Sequence, residues 1–192
     1  MTETPSRFNG SVRGLGAGVV LALVLGLGGQ ARALEVGQQV ANVQVRDADD
    51  QPATIPDLGS KVLALFYTDP DAKDENEPFR ELLKANKLDK SQYRGLGVVN
   101  LKDSWKPDGI IRSMVRKKIA KFKSLILTDP SHALAKAWKL GDCNDQDLVI
   151  IIGRDSKVKY LTRKPMNKDE RQKALDLVKS LIGDQPSPEP QP

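Results

Sequence analysis

The sequence predicts a three-layer α/β domain, with a mixed central sheet, helices on both faces, a closing β-hairpin and a C-terminal helix. Three observations carry this. Residues 61–67 (KVLALFY) and 148–152 (LVIII) are nearly continuous apolar runs, as expected of strands covered on both faces. Strand-like runs at 61–67, 96–101 and 124–128 are each followed by a segment with helical or helix-capping signals, which is the order of parallel crossover units. Finally, only Gly153, Arg154, Asp155 and Ser156 separate the 148–152 run from a second strand-like stretch at 157–162. That link is too short for a crossover, so the last two strands pair antiparallel.

Each element has a local reason. Val43 and Val45 alternate with polar neighbours over 42–46, a half-buried strand that the 47–51 turn ends. After the 61–67 strand, residues 68–77 are acidic and turn-like. Pro78 then stands where the first turn of a helix tolerates it, since no intrahelical donor is needed there. Phe79, Leu82 and Leu83 form the buried stripe of that helix to residue 85, with Arg80, Glu81 and Lys84 facing out. Residues 96–101 read as a strand and 102–109 as a loop.

Over 110–122, Ile111, Val115, Ile119 and Phe122 recur at helical spacing, with Arg112, Arg116, Lys117 and Lys121 on the remaining arc. A short strand at 124–128 leads to Asp129, a capping residue, and Pro130 at the start of a helix through Leu134 and Trp138 that stops near Gly141. Asn167 and Glu170 form a capping box for the last helix, ended by Gly183. Residues 184–192 (DQPSPEPQP) are a polar, proline-rich tail expected to be disordered.

The N-terminus has the three parts of a cleavable secretory signal. Arg7 and Arg13 give a positive start, residues 15–29 an apolar core, and Ala31-Arg32-Ala33 a small-residue cleavage site before Leu34. The glycine-loosened core is shorter than the ~20 residues a spanning helix needs. The expected organisation is therefore a signal over 1–33, one domain over 34–183 and the tail. The leader holds a net +2 of the chain's +5, which leaves a mildly basic remainder that argues against nucleic acid as a partner. One cysteine, Cys143, and one histidine, His132, exclude an intramolecular disulfide and a multi-histidine zinc centre.

Several phrases carry a resemblance. These are the 40–45 strand, residues 58–61 (LGSK) leading into 62–67, Leu127-Thr128-Asp129-Pro130 with Ala135-Lys136-Ala137-Trp138, and residues 150–158 (IIIGRDSKV). Their order over 37–182 resembles the thioredoxin superfamily, in particular its peroxiredoxin and exported thioredoxin-like branches, and most narrowly the YtfJ group of periplasmic proteins. The resemblance implies a periplasmic location and a thioredoxin-like fold. It also implies where a redox centre would lie: after the central strand at a helix start, where the dipole stabilises a thiolate. Here that place reads TDPDAKDENEP over 68–78, without a thiol. The cis-proline of redox-active relatives would fall near Asp147 and is also missing.

Two readings of function follow. The leading one is an exported, non-catalytic thioredoxin-fold module that binds a protein, peptide or small ligand outside the cytoplasm. Its candidate contact residues are Thr68, Asp69, Asp71, Asp145 and Asp147 on the 68–77 and 142–147 loops, which meet at one end of the sheet in the resembling fold. The alternative is a single-cysteine thiol oxidoreductase or peroxidase using Cys143, although its acidic neighbours do not favour a thiolate.

No cofactor is implied. Asp69, Asp71, Asp74, Glu75 and Glu77 lack the ligand spacing of a calcium loop and read as a solvated helix start, so no metal is expected. The basic helix face of Arg112, Arg116, Lys117 and Lys121 is a candidate for an anionic membrane surface or acidic partner, with simple solvation as the plainer reading. His132 reads as a surface residue at a helix start. Trp105 is either an exposed recognition aromatic or a lid on the core.

Overall fold

The computed structural model describes residues 33–183; the expected signal over 1–33, except its last residue, and the tail over 184–192 lie outside the described residues. Seven strands form one mixed sheet: β1 (Gln44–Arg46), β2 (Pro52–Thr54), β3 (Val62–Thr68), β4 (Tyr93–Asn100), β5 (Ile126–Asp129), β6 (Asp147–Ile152) and β7 (Val158–Thr162). Four helices join them: α1 (Glu77–Ala85), α2 (Asp108–Phe122), α3 (Ala133–Ala137) and α4 (Lys168–Gly183). The sheet order is β2-β1-β5-β4-β3-β6-β7, with β3, β4 and β5 parallel and the remaining pairings antiparallel.

Burial explains the two long apolar runs. Every residue of β3 and of β6 is buried, because the two strands are central neighbours with cores on both faces. On one face Leu63, Leu65, Tyr67, Leu148 and Ile150 pack with α3, Trp138 and the segment from Leu34 to Val45. On the other, Val62, Ala64, Phe66, Val149 and Ile151 pack with Phe79 and Leu83 of α1 and with Ala174, Leu175 and Val178 of α4. Helix α2 shares this second face, with Ile111 and Val115 against Ile126 and Leu101.

The caps were legible. Asn167 and Glu170 exchange their backbone N–H groups as a capping box, at 2.8 and 3.0 Å. Asp129 caps α3 as expected, accepting the N–H groups of Ala133 at 2.7 Å and Leu134 at 3.0 Å. The helix itself starts three residues later than Pro130 suggests, since His132 stands in the left-handed region at φ 58°. Two details differ from the sequence reading. Strand β2 has no apolar alternation to announce it; it exists because the 47–51 turn folds 52–54 back onto β1. Phe122, placed on the buried stripe of α2, is exposed, and Arg112, placed on the outer arc, is buried.

That second difference corrects the basic face. Arg112 reaches inward, donating to the Asp47 carbonyl at 2.9 Å, the Thr128 hydroxyl at 2.8 Å and the Asp50 carboxylate at 2.6 Å. Arg116 donates to the Ala48 carbonyl at 2.9 Å. Both arginines therefore fasten the 47–50 turn to α2, which supplies the acceptors that a buried guanidinium requires. Lys117 and Lys121 are exposed, and the Lys121 ammonium lies 4.9 Å from the Phe122 ring centroid.

Candidate functional site

The chain runs one way across the sheet from β3 to β4 to β5 and then returns to β6 on the far side of β3. In open α/β sheets such a reversal leaves a crevice at the carboxyl ends of the parallel strands. Buried polar residues gather there: Thr68 and Asp69 after β3, Asn76 before α1, Asn100 ending β4, Asp129 ending β5 and Asp147 opening β6.

Asp147 is the hub. It is fully buried; one carboxylate oxygen accepts the Thr68 hydroxyl at 2.5 Å and the Arg80 guanidinium at 2.6 Å, and the other accepts the Asn76 backbone N–H at 3.1 Å. Asn76 closes the ring by donating its side-chain amide to the Asp147 carbonyl at 2.7 Å and accepting the Met166 N–H at 3.0 Å. Arg80 also donates to the Thr68 hydroxyl oxygen at 3.0 Å and lies 4.3 Å from the Phe66 ring centroid. Burial raises the Asp147 carboxyl above its ordinary range, and the Arg80 charge opposes that shift.

Arg80 thus departs from the outward orientation its helical position suggests. Its guanidinium turns back across the start of α1 because the Asp147 carboxylate has no other cation within reach of the described residues. Asn76, two residues before Pro78 and silent in the sequence, holds three segments together.

Asp69 corrects the reading of 68–77 as a solvated helix start. It is 1% exposed, and burial raises its carboxyl above the usual range. One of its oxygens accepts the Asp71 N–H at 2.8 Å; the other has no hydrogen-bond partner among the described residues. The Asp69 N–H donates to the Gln146 carbonyl at 2.8 Å, so the 68–77 and 142–147 loops do meet. Asp71 and Asp145 lie at the exposed rim, where Asp71 pairs with Lys106. No group of three or more His, Cys, Asp or Glu side chains suited to a metal ion occurs among the described residues.

Cys143 lies in the core on the α3 face, the face opposite α1. Its side chain is buried and its thiol donates to the Gly141 carbonyl at 3.5 Å. Burial pushes the thiol pKa up to about 11, against the nearby Arg163 guanidinium, which acts to lower it. His132 bridges to Asp103 at 2.8 Å and Asn100 at 3.1 Å and is half-buried. The Tyr67 hydroxyl donates to Asp129 at 3.1 Å. Trp105 is 80% exposed, so it forms no lid on the core.

Beside this crevice a groove of about 1070 Å³ runs between α1 and α2 over β4. Its lining reaches from Thr68 and Arg80 at the carboxyl edge to Lys90, Lys123 and Ser124 at the other end.

The profile of a bacterial family described as a protein of unknown function, YtfJ_HI0045, matches residues 59–181. The chain belongs to this family. No curated protein matches it. Among solved structures, the chain is similar to a peroxiredoxin-like protein from Aquifex aeolicus, with 16% identity, a TM-score of 0.53, and coverage of 78% of this chain and 89% of that one. It is also similar to BsSco, a member of the Sco family of cytochrome c oxidase assembly proteins, at 14% identity and TM-score 0.57, over 81% of this chain and 100% of that one. The exposed lipoprotein thioredoxin of Streptococcus pneumoniae is similar at 16% identity and TM-score 0.54, over 71% and 99%. At these identities the likeness shows the thioredoxin-like fold alone. Against that fold, this YtfJ-family chain has a carboxylate, Asp147, at the mouth of β6 and an acid-rich turn without a thiol after β3.

Proposed function

We propose that this chain is an exported, non-catalytic thioredoxin-fold protein that binds a ligand or partner outside the cytoplasm. The single observation that carries the reading is the Asp147–Arg80–Thr68–Asn76 network. It fills the end of the sheet with satisfied hydrogen bonds at the place where a redox member of the fold needs an accessible thiolate. Cys143 is no substitute for that thiol. It is buried on the opposite face, and burial pushes its pKa up to about 11, so the thiol form dominates at pH 7. Export rests on the leader at residues 1–33, with Leu34 as the mature start.

The expected result is that the full chain, supplied with dithiothreitol, reduces insulin no faster than buffer, and consumes hydrogen peroxide no faster than its Cys143→Ser variant. Turnover above background that disappears in Cys143→Ser would establish the alternative, a single-cysteine oxidoreductase or peroxidase.

A further inference from the structure

The groove between α1 and α2 has a construction that neither the crevice network nor the thiol question uses. Strand β4 forms its floor. The parallel register sets Gly95 beside Ala64 and Gly97 beside Phe66, so the strand presents two residues without side chains to the groove. A Cβ on Gly97 would meet nothing closer than Ile126 at 3.8 Å, so the space above it is open, whereas the Tyr93 hydroxyl would lie 3.0 Å from a Cβ on Gly95 and covers that position. Phe66, Leu83, Val99, Met114 and Phe122 give apolar walls, and Met114 and Phe122 are 46% and 43% exposed.

Side chains span the trough from helix to helix. The Lys118 ammonium on α2 lies 3.8 Å from the Glu77 carboxylate on α1, and the Lys84 ammonium on α1 lies 5.2 Å from the Phe122 ring centroid on α2. Both contacts cross the groove at its outer side, between helices α1 and α2. The length of β4, eight residues or roughly 26 Å, sets the length of the trough.

The two ends differ in charge. The acidic lining residues, Asp74 and Glu77, are at the carboxyl end, beside Arg80 and Lys73. At the other end Lys87, Lys90 and Lys123 are exposed on the two loops that precede β4 and β5. Ser124, next to Lys123 on the lining, has a buried hydroxyl oxygen with no hydrogen-bond partner among the described residues. An apolar trough whose cations are balanced by Asp74 and Glu77 at one mouth and in excess at the other is complementary to an alkyl chain ending in an anion.

We infer that the α1–α2 groove binds a free fatty acid, with its acyl chain over Gly97 and its carboxylate toward Lys87, Lys90 and Lys123. This rests on the binding reading proposed above and names its ligand class. A neutral alkyl chain would lack the head-group contact.

The test is displacement of a fluorescent undecanoate probe from the full chain by dodecanoate, below its micelle concentration. Saturable one-to-one binding is expected, with dodecanol at least tenfold weaker. Gly97→Phe, which fills the floor, and Met114→Glu, which places a carboxylate on an exposed wall position, should each weaken dodecanoate at least tenfold. Lys87→Glu with Lys123→Glu should weaken dodecanoate about tenfold and leave dodecanol unchanged. Met114→Glu changes an already exposed side chain, so it keeps the test decisive if Gly97→Phe lowers the thermal midpoint. No saturable binding, equal affinity in both groove variants, or equal affinity for dodecanol overturns the inference. So does displacement of the probe by an acidic helical peptide that both groove variants abolish. Failure here with insulin and peroxide activities at background removes only the fatty acid, whereas thiol turnover removes the binding reading itself.

Discussion

Arg80→Ala is expected to lower the free energy of unfolding by about 3–5 kcal/mol at pH 7, the usual cost of leaving one member of a buried ion pair unpaired. Asp147 is fully buried and has no other cation to turn to among the described residues, while the Thr68 hydroxyl and Asn76 N–H remain bonded to its carboxylate. The variant also loses the contact of the guanidinium with the Phe66 ring. The pH dependence follows from the sign of the shift. The Asp147 carboxyl is raised in the folded chain, so the stability linked to its proton is full below the unfolded value near ~4 and is lost as pH rises through the folded value. Removing Arg80 raises it further. The deficit measured by guanidinium unfolding should therefore be largest at neutral pH and shrink on acidification toward pH 5. Asp147→Asn in the Arg80→Ala background should recover most of the loss at pH 7, because the neutral amide carries no buried charge. A deficit independent of pH and unrelieved by Asp147→Asn would mean that Arg80 contributes packing alone.

Trp138→Ala is the second large effect, about 3–5 kcal/mol. Trp138 leads the fully buried side chains in volume, packs in the core between the sheet and the N-terminal segment, and donates its indole N–H to the Ala41 carbonyl at 2.8 Å. Truncation leaves a cavity and an orphaned carbonyl together. For a domain whose total stability is of order 5–15 kcal/mol, such a change brings unfolding close to ambient conditions. The other tryptophan, Trp105, is exposed, so a Trp105→Phe background makes Trp138 the only indole emitter of the chain. Its emission should be blue-shifted in the native chain and move to the red on denaturation. Trp138→Ala in the natural background should show a lowered denaturation midpoint.

The sequence revealed most of the scaffold because its signals are local. A seven-residue apolar strand, an Asn167–Glu170 capping box and a four-residue turn each declare themselves within a few positions. Asp129 was legible as a cap, and Asp147 was legible as a residue standing where a proline is expected. Arg80 and Arg112 were not. Their helical positions point outward, and what draws them in lies 67 residues away for Arg80 and 62 or more residues away at the 47–50 turn for Arg112. A carboxylate immediately before an all-apolar run, as at Asp147, does signal that some distant cation must answer it, although not which one.

Asp69 was legible as a candidate contact residue, but its burial was not, for a related reason. An acidic stretch before a helix reads as solvated, and only the closure of the 142–147 loop over it buries the carboxylate. The groove was not legible because a glycine within a strand, such as Gly97, ordinarily reads as weakness in the strand rather than as open space above it.

The non-catalytic reading proposed above requires that Cys143 be inaccessible in the native chain. The most direct measurement is the rate at which Cys143 of the native full chain reacts with iodoacetamide, followed by intact mass at pH 7.5 and compared with the same chain in guanidinium. A buried thiol with a pKa of about 11 should stay unmodified over the time in which the unfolded chain reacts completely. Native Cys143 reacting as fast as the unfolded chain, or faster, would contradict the account.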